Sequence, residues 1–116
     1  MGKELTQDLI AMRSKCERLE QVKNLNLWGN DISGVGILRE LPNVEVLSLS
    51  VNKITSLADF KYCSKLTELY LRKNLISDIH EVKYLKGLKS LRVLWLWDNP
   101  CAEDSNYRPF IISQLP

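Results

Sequence analysis

Cysteine, histidine, net charge and long apolar runs are all scarce in this chain, and each shortage closes off a class of function. The three cysteines, Cys16, Cys63 and Cys101, are an odd number with no CxxC pair, so no disulfide framework is expected and a reducing compartment is. The single histidine, His80, has no ligand partner at a usable spacing, which argues against a metal site. Net charge is only +2, from 16 basic and 14 acidic residues. A polyanion binder normally carries a clear basic excess, so nucleic acid is not the expected partner. No apolar run reaches the length of a membrane span, and the first ten residues, MGKELTQDLI, have no signal-peptide core. Nucleophile–base pairs, phosphate-cradling glycine loops and paired carboxylates are missing as well. A chain without catalytic machinery or a cofactor is therefore expected.

What is present is leucine at fixed intervals. With 116 residues, 45% of them hydrophobic, the chain can build one core. Leu25, Leu47, Leu69 and Leu94 are each followed two residues later by Leu27, Leu49, Leu71 and Leu96. Three residues beyond those stand Asn30, Asn52, Asn74 and Asn99. The pattern LxxLxLxxN thus occurs four times, starting at Val22, Val44, Leu66 and Leu91, in steps of 22, 22 and 25 residues. Alternating leucines describe a strand that sends one face to a core. A lone strand of this kind cannot bury its leucines, so neighbouring repeats must stack in parallel. The asparagine falls where the chain leaves the strand, and its amide can both donate to and accept from the freed backbone groups.

A second period runs through the return segments. Apolar residues recur every third position at Val35, Leu38, Leu41 and Val44, at Leu57, Phe60, Cys63 and Leu66, and at Ile79, Val82, Leu85, Leu88 and Leu91. Spacing by three suits 3₁₀ or short helical turns, and the third return contains one extra turn. Cys63 and Cys101 then occupy core positions and are expected to be inert.

These features describe an α/β fold: a right-handed leucine-rich-repeat solenoid, with four parallel strands on the concave face and helical turns on the convex one. Its ends need covers. Leu5, Leu9, Met12, Cys16 and Leu19 suggest a capping helix over roughly residues 6 to 20, with Thr6 as N-cap. Tyr107, Phe110, Ile111 and Leu115 suggest a short helix at the other end. The expected layout is one domain, with an N-terminal cap over 1–21, four repeats over 22–98 and the start of a C-terminal cap over 99–116. A natural protein that continues beyond residue 116 is also expected.

Residues flanking the strand leucines face outward and form three ladders: Asn24, Val46, Glu68 and Val93; Asn26, Ser48, Tyr70 and Trp95; Trp28, Ser50, Arg72 and Trp97. All three tryptophans lie there. Trp28, Tyr70, Arg72, Trp95 and Trp97 are the candidate partner-binding residues, since large aromatics beside an arginine have the composition of binding hot spots. The alternative is that the rings pack on one another or under a cover. Lys83, Lys86, Lys89 and Arg92 form a secondary candidate, a basic edge whose ligand would be phosphate or an acidic tail; a solvated edge is its ordinary meaning.

The repeats resemble the intracellular class found in a nuclear regulatory subunit of protein phosphatase one and in a spliceosomal ribonucleoprotein. The chain is most similar to the cilia- and flagella-associated protein four-hundred-and-ten family of basal-body proteins. That resemblance rests on Leu25–Gly29 (LNLWG), Leu49–Asn52 (LSVN), Glu68–Asn74 (ELYLRKN), Tyr84–Leu88 (YLKGL), Leu91–Leu96 (LRVLWL) and Asn99–Cys101 (NPC). It implies a protein-interaction scaffold for cilium or flagellum assembly, in the cytoplasm and cytoskeleton at the basal body or centrosome. It also implies a NIMA-related kinase as partner, through a C-terminal helical module absent from these residues. The remaining alternative is a ribonucleoprotein-type scaffold in the nucleus or a phosphatase regulatory subunit. A protein contact is expected in either case, without membrane or nucleic acid.

Overall fold

The computed structural model describes residues 2–114, and the leucine ladders organise it. Four three-residue strands, β2 (Asn24–Asn26), β4 (Val46–Ser48), β5 (Glu68–Tyr70) and β6 (Val93–Trp95), form one parallel sheet in the order β2-β4-β5-β6. Leu25, Leu47, Leu69 and Leu94 pair across it in register, so all four leucines face one core. The ladder runs on past the strands. The N–H groups of Leu27, Leu49 and Leu71 donate to the carbonyls of Ser48, Tyr70 and Trp95, each at 2.8 Å.

The turn that follows is the same in every repeat. Gly29, Val51, Lys73 and Asp98, each just before the repeat asparagine, adopt left-handed backbone with φ of 66, 59, 58 and 62°. This conformation costs little for glycine and more for a β-branched residue such as Val51. The asparagine stabilises the turn from inside. Asn74 Nδ2 donates to the carbonyls of Leu49 and Leu71, both at 3.0 Å, while its Oδ1 accepts from the Ile54 N–H at 3.0 Å. The amides of Asn52, Asn74 and Asn99 thus each tie their own repeat to the preceding one. In the last repeat Pro100 has no N–H, and the Cys101 N–H makes the bond to Ile76 that Leu75 makes to Ile54 one repeat earlier.

Return segments are 3₁₀ helices at Gly36–Glu40, Ala58–Tyr62 and Ile79–Leu85, the third being the longest. Every residue of the three-spaced apolar series is buried, Cys63 included, and so is Cys101, which takes the place held by Ile32, Ile54 and Ile76. Burial pushes the Cys63 thiol up to about 12 and the Cys101 thiol upward too, so both are protonated and sheltered near neutral pH.

The caps depart from the expected outline. Helix α1 spans only Gln7–Ser14, not residues 6 to 20. Thr6 is its N-cap, accepting from the Leu9 N–H at 3.2 Å. Lys15 ends it in left-handed backbone, and the Ser14 hydroxyl accepts from the Cys16 N–H at 3.2 Å, a local bond that competes with further helix. A separate 3₁₀ turn, Leu19–Gln21, completes the cover. Met12 faces solvent at 67% exposure and Ile10 is fully buried in its stead. Leu5 enters the core from outside the helix, where β1 (Lys3–Glu4) pairs in parallel with β3 (Ile32–Gly34) in a second, two-stranded sheet. At the other end, α2 spans Tyr107–Gln114, with Tyr107, Phe110 and Ile111 packed on the core; Leu115 lies outside the described residues.

Candidate partner-binding surface

Strand alternation dictates this surface. With Leu94 and Leu96 turned to the core, Trp95 and Trp97 must project from the concave side, and they stay 46% and 47% exposed. The register places Glu68, Leu69 and Tyr70 opposite Val93, Leu94 and Trp95. The rings then meet. Tyr70 and Trp95 stand edge to face with centroids 4.7 Å apart, and Trp95 and Trp97 are tilted at 6.4 Å. The Arg72 guanidinium lies 4.4 Å from the Trp97 centroid, a cation–π contact.

Two carboxylates fix the polar ends. Tyr70 Oη donates to Glu68 Oε1 at 2.5 Å, and that bond, followed by burial and the Glu68 charge, holds the phenol above its ordinary pKa. Arg72 Nε sits 3.4 Å from Asp98 Oδ2, an ionic contact without the alignment of a hydrogen bond. Positioned rings with clamped polar ends lose little freedom on binding, which favours affinity.

Tyr70, Arg72, Trp95 and Trp97 come together as the sequence suggested; Trp28 does not join them. It projects from the β2 end of the sheet at 58% exposure, with the buried Ser50 rung between it and Arg72. The patch instead grows in the other direction. Trp97 shares an apolar slot with Tyr107, Arg108, Ile111 and Ile112, bringing the cap helix beside the sheet. Ile112 is 72% exposed there. Sequence periodicity gives no signal for this slot, because the angle at which a cap helix meets the last strand is set by packing. Glu68 was also missed as a partner of Tyr70, although it stood in the first ladder, and Asp98 was missed because it lies outside all three.

The secondary candidates occupy another face. Lys83, Lys86 and Lys89 are exposed along and just after the third return helix, while Arg92, also exposed, stands immediately before β6, where its N–H donates to the Thr67 carbonyl at 2.9 Å. Among the described residues there is no cluster of three or more potential metal ligands, and no helix is long and apolar enough to cross a membrane.

Comparison with known proteins agrees with this architecture. The leucine-rich-repeat family profile matches residues 10–116. Cilia- and flagella-associated protein 410 of Mus musculus is 43% identical over 97% of this chain and 46% of its own length. The Homo sapiens protein of the same name is 44% identical over 97% of this chain and 44% of its own. The chain thus spans less than half of these relatives. An internalin from Listeria monocytogenes superposes with a TM-score of 0.70 at 27% identity, over 79% of this chain and 29% of that one. A chain of the Drosophila melanogaster SNF/U2A′ complex superposes with a TM-score of 0.68 at 20% identity, over 97% and 81%. With four in-register repeats, a shared leucine core and a family profile over most of its length, this chain belongs to the leucine-rich-repeat family.

Proposed function

We propose that this domain is a non-catalytic scaffold that holds a protein partner on its concave face, within a protein that serves cilium or flagellum assembly at the basal body. The observation carrying the first half is the cluster of exposed Trp95 and Trp97 with half-buried Tyr70 and Arg72, mutually ordered. Aromatic area with a fixed cation has the composition of a hot spot. The names of the mammalian relatives support the second half. Any NIMA-related kinase would engage a separate C-terminal module, leaving the concave face to a different protein.

The test uses the full-length protein in ciliated cells. Trp95→Ala combined with Trp97→Ala should abolish basal-body localisation, with affinity for a proximity-labelled partner falling about thirtyfold or more. Its melting temperature should stay near normal, because the leucines beneath are untouched. Tyr70→Ala gives a second, milder probe of the same patch. Normal localisation of a folded double variant would refute the reading, and so would its global unfolding, which would make the rings structural cover.

A further inference from the structure

The convex side repeats a lateral contact. In a 3₁₀ segment residues three apart eclipse one another, so each return presents two outer edges, one toward the preceding repeat and one toward the following repeat. Between the first and second returns, Arg39 lies 3.8 Å from the Asp59 carboxylate and its guanidinium 5.1 Å from the Tyr62 ring. Between the second and third, the Lys61 ammonium lies 6.0 Å from the Tyr84 ring, and 5.3 Å from that of Tyr62. Glu81, in the position equivalent to Asp59, accepts from the Ser56 hydroxyl at 3.0 Å and the Leu57 N–H at 2.8 Å. The two grooves share a layout, but only in the first does the carboxylate pair with the cation; Glu81 is turned to Ser56 and Leu57 instead. The earlier repeat offers a cation, and the later one offers a carboxylate followed three residues on by tyrosine: Asp59-x-x-Tyr62, then Glu81-x-x-Tyr84.

Lys83 is the next cation in this series, equivalent to Arg39 and Lys61. The extra turn of the third return lengthens its edge, adding Lys86, Lys89 and Arg92, and the i+3 bonds Lys86 N to Lys83 O, Leu88 N to Leu85 O and Leu91 N to Leu88 O keep the edge in line. Helix α2 packs against the Ile79–Leu85 segment, and the Phe110 ring meets His80 there at 4.9 Å. The nearby acid, Asp78, is engaged by His80 through its N–H at 2.9 Å and its ring at 2.8 Å. All four cations are exposed and, among the described residues, none forms an ion pair within 4 Å, although the Lys83 charge helps hold the Asp78 carboxyl below its ordinary range.

We infer that the Lys83–Arg92 edge is a second docking strip, independent of the concave face, for a helical-turn segment of a partner protein that presents Asp/Glu-x-x-Tyr. Charge complementarity selects the carboxylate. The Arg39–Tyr62 and Lys61–Tyr84 contacts show the aromatic arrangement this scaffold accepts at that register. Cation–π and ion-pair contacts are individually weak at a surface, so several in a row are needed for useful affinity.

The probe is a synthetic helical peptide of three Glu-Ala-Ala-Tyr units, titrated into the 116-residue chain and followed by amide chemical shifts. Perturbations should centre on residues 83–92, and affinity should drop with added salt. Replacing the tyrosines by alanine, or the glutamates by glutamine, should weaken binding about threefold or more. Lys86→Glu with Lys89→Glu should weaken it at least about tenfold with an unchanged melting curve, while Trp95→Ala with Trp97→Ala should leave it intact. Equal binding of the alanine-substituted peptide would overturn the motif and leave a nonspecific charged edge. Shifts centred on the concave tryptophans, or absence of binding at low salt, would overturn the site. Self-association of the unmutated chain that the lysine reversal abolishes would make the occupant a second copy and overturn the assignment to a different protein.

Discussion

Interior and terminal repeats carry the same motif in different company, and the difference shows how much of a residue's role comes from its neighbours. Asn52 and Asn74, flanked on both sides, are buried and bond two repeats at once. Asn30 has no earlier repeat to bind. Its amide turns outward, donating to the Trp28 carbonyl at 3.1 Å and accepting from Arg13 at 3.5 Å. Leucines follow the same trend: Leu47 and Leu69 are completely buried, whereas Leu94 at the end of the sheet is only partly so. Identical letters are therefore worth different energies. The loosening is confined to Asn30 and Leu94, since Asn99, Leu25, Leu27 and Leu96 in the same end repeats are buried; the exposed tryptophans stand in these two repeats.

Substitutions can break this comparison or sharpen it. Leu71→Ala, in the sealed interior, should cost about 2–5 kcal/mol, and Leu94→Ala should fall at or below the bottom of that range. Denaturant midpoints for the two that coincide would contradict the gradient. The buried thiol gives a pH-dependent counterpart. Because folding raises the Cys63 pKa to about 12 from an ordinary value near 9, the folded state holds that proton more tightly. The stabilisation is complete below about pH 9 and is lost as pH rises toward 12, at roughly 1.4 kcal/mol per pH unit. Urea unfolding between pH 8 and 11 should show this slope, and Cys63→Ala should remove that one-proton part of it.

The asparagines provide the next contrast. Asn74→Ala should cost about 1–3 kcal/mol by leaving turn groups unpaired, and Asn30→Ala less than about 1 kcal/mol because water can replace its bonds. Equal losses would mean that the two rungs are equivalent after all. The residue before each asparagine gives a contrast of sign. Gly29→Val should destabilise by about 1–2 kcal/mol, since it places a β-branched side chain at φ 66°. Val51→Asn at the same register should be neutral or gain up to about 1 kcal/mol, because asparagine tolerates left-handed backbone better. Thermal melts of the pair check both signs.

The repeats could be read from the letters because each feature is short-range. A strand of period two, a turn amide and a three-spaced return all fit within 25 residues, and stacking copies leaves few alternatives. Reading failed at the caps, where nothing repeats. Helical spacing over Leu5–Leu19 was satisfied on paper by Met12, yet the chain stops the helix at Lys15 and buries Ile10 instead. The left-handed residue before each asparagine was missed too. Glycine marks it only at Gly29, and the turn imposes the same conformation on Val51, Lys73 and Asp98.

The candidate surface divides in the same way. By itself the sequence determined which residues leave the core: once Leu94 and Leu96 face inward, pleating alone sends Trp95 and Trp97 outward. It also placed Tyr70 and Arg72 one strand away from them. Only the tertiary structure decided that Trp28 stands apart, that Asp98 meets Arg72, and that the cap helix makes a slot beside Trp97. Those outcomes depend on side-chain rotamers and on how a non-repeating helix packs against the last strand. They are long-range packing choices, to which a local period is blind.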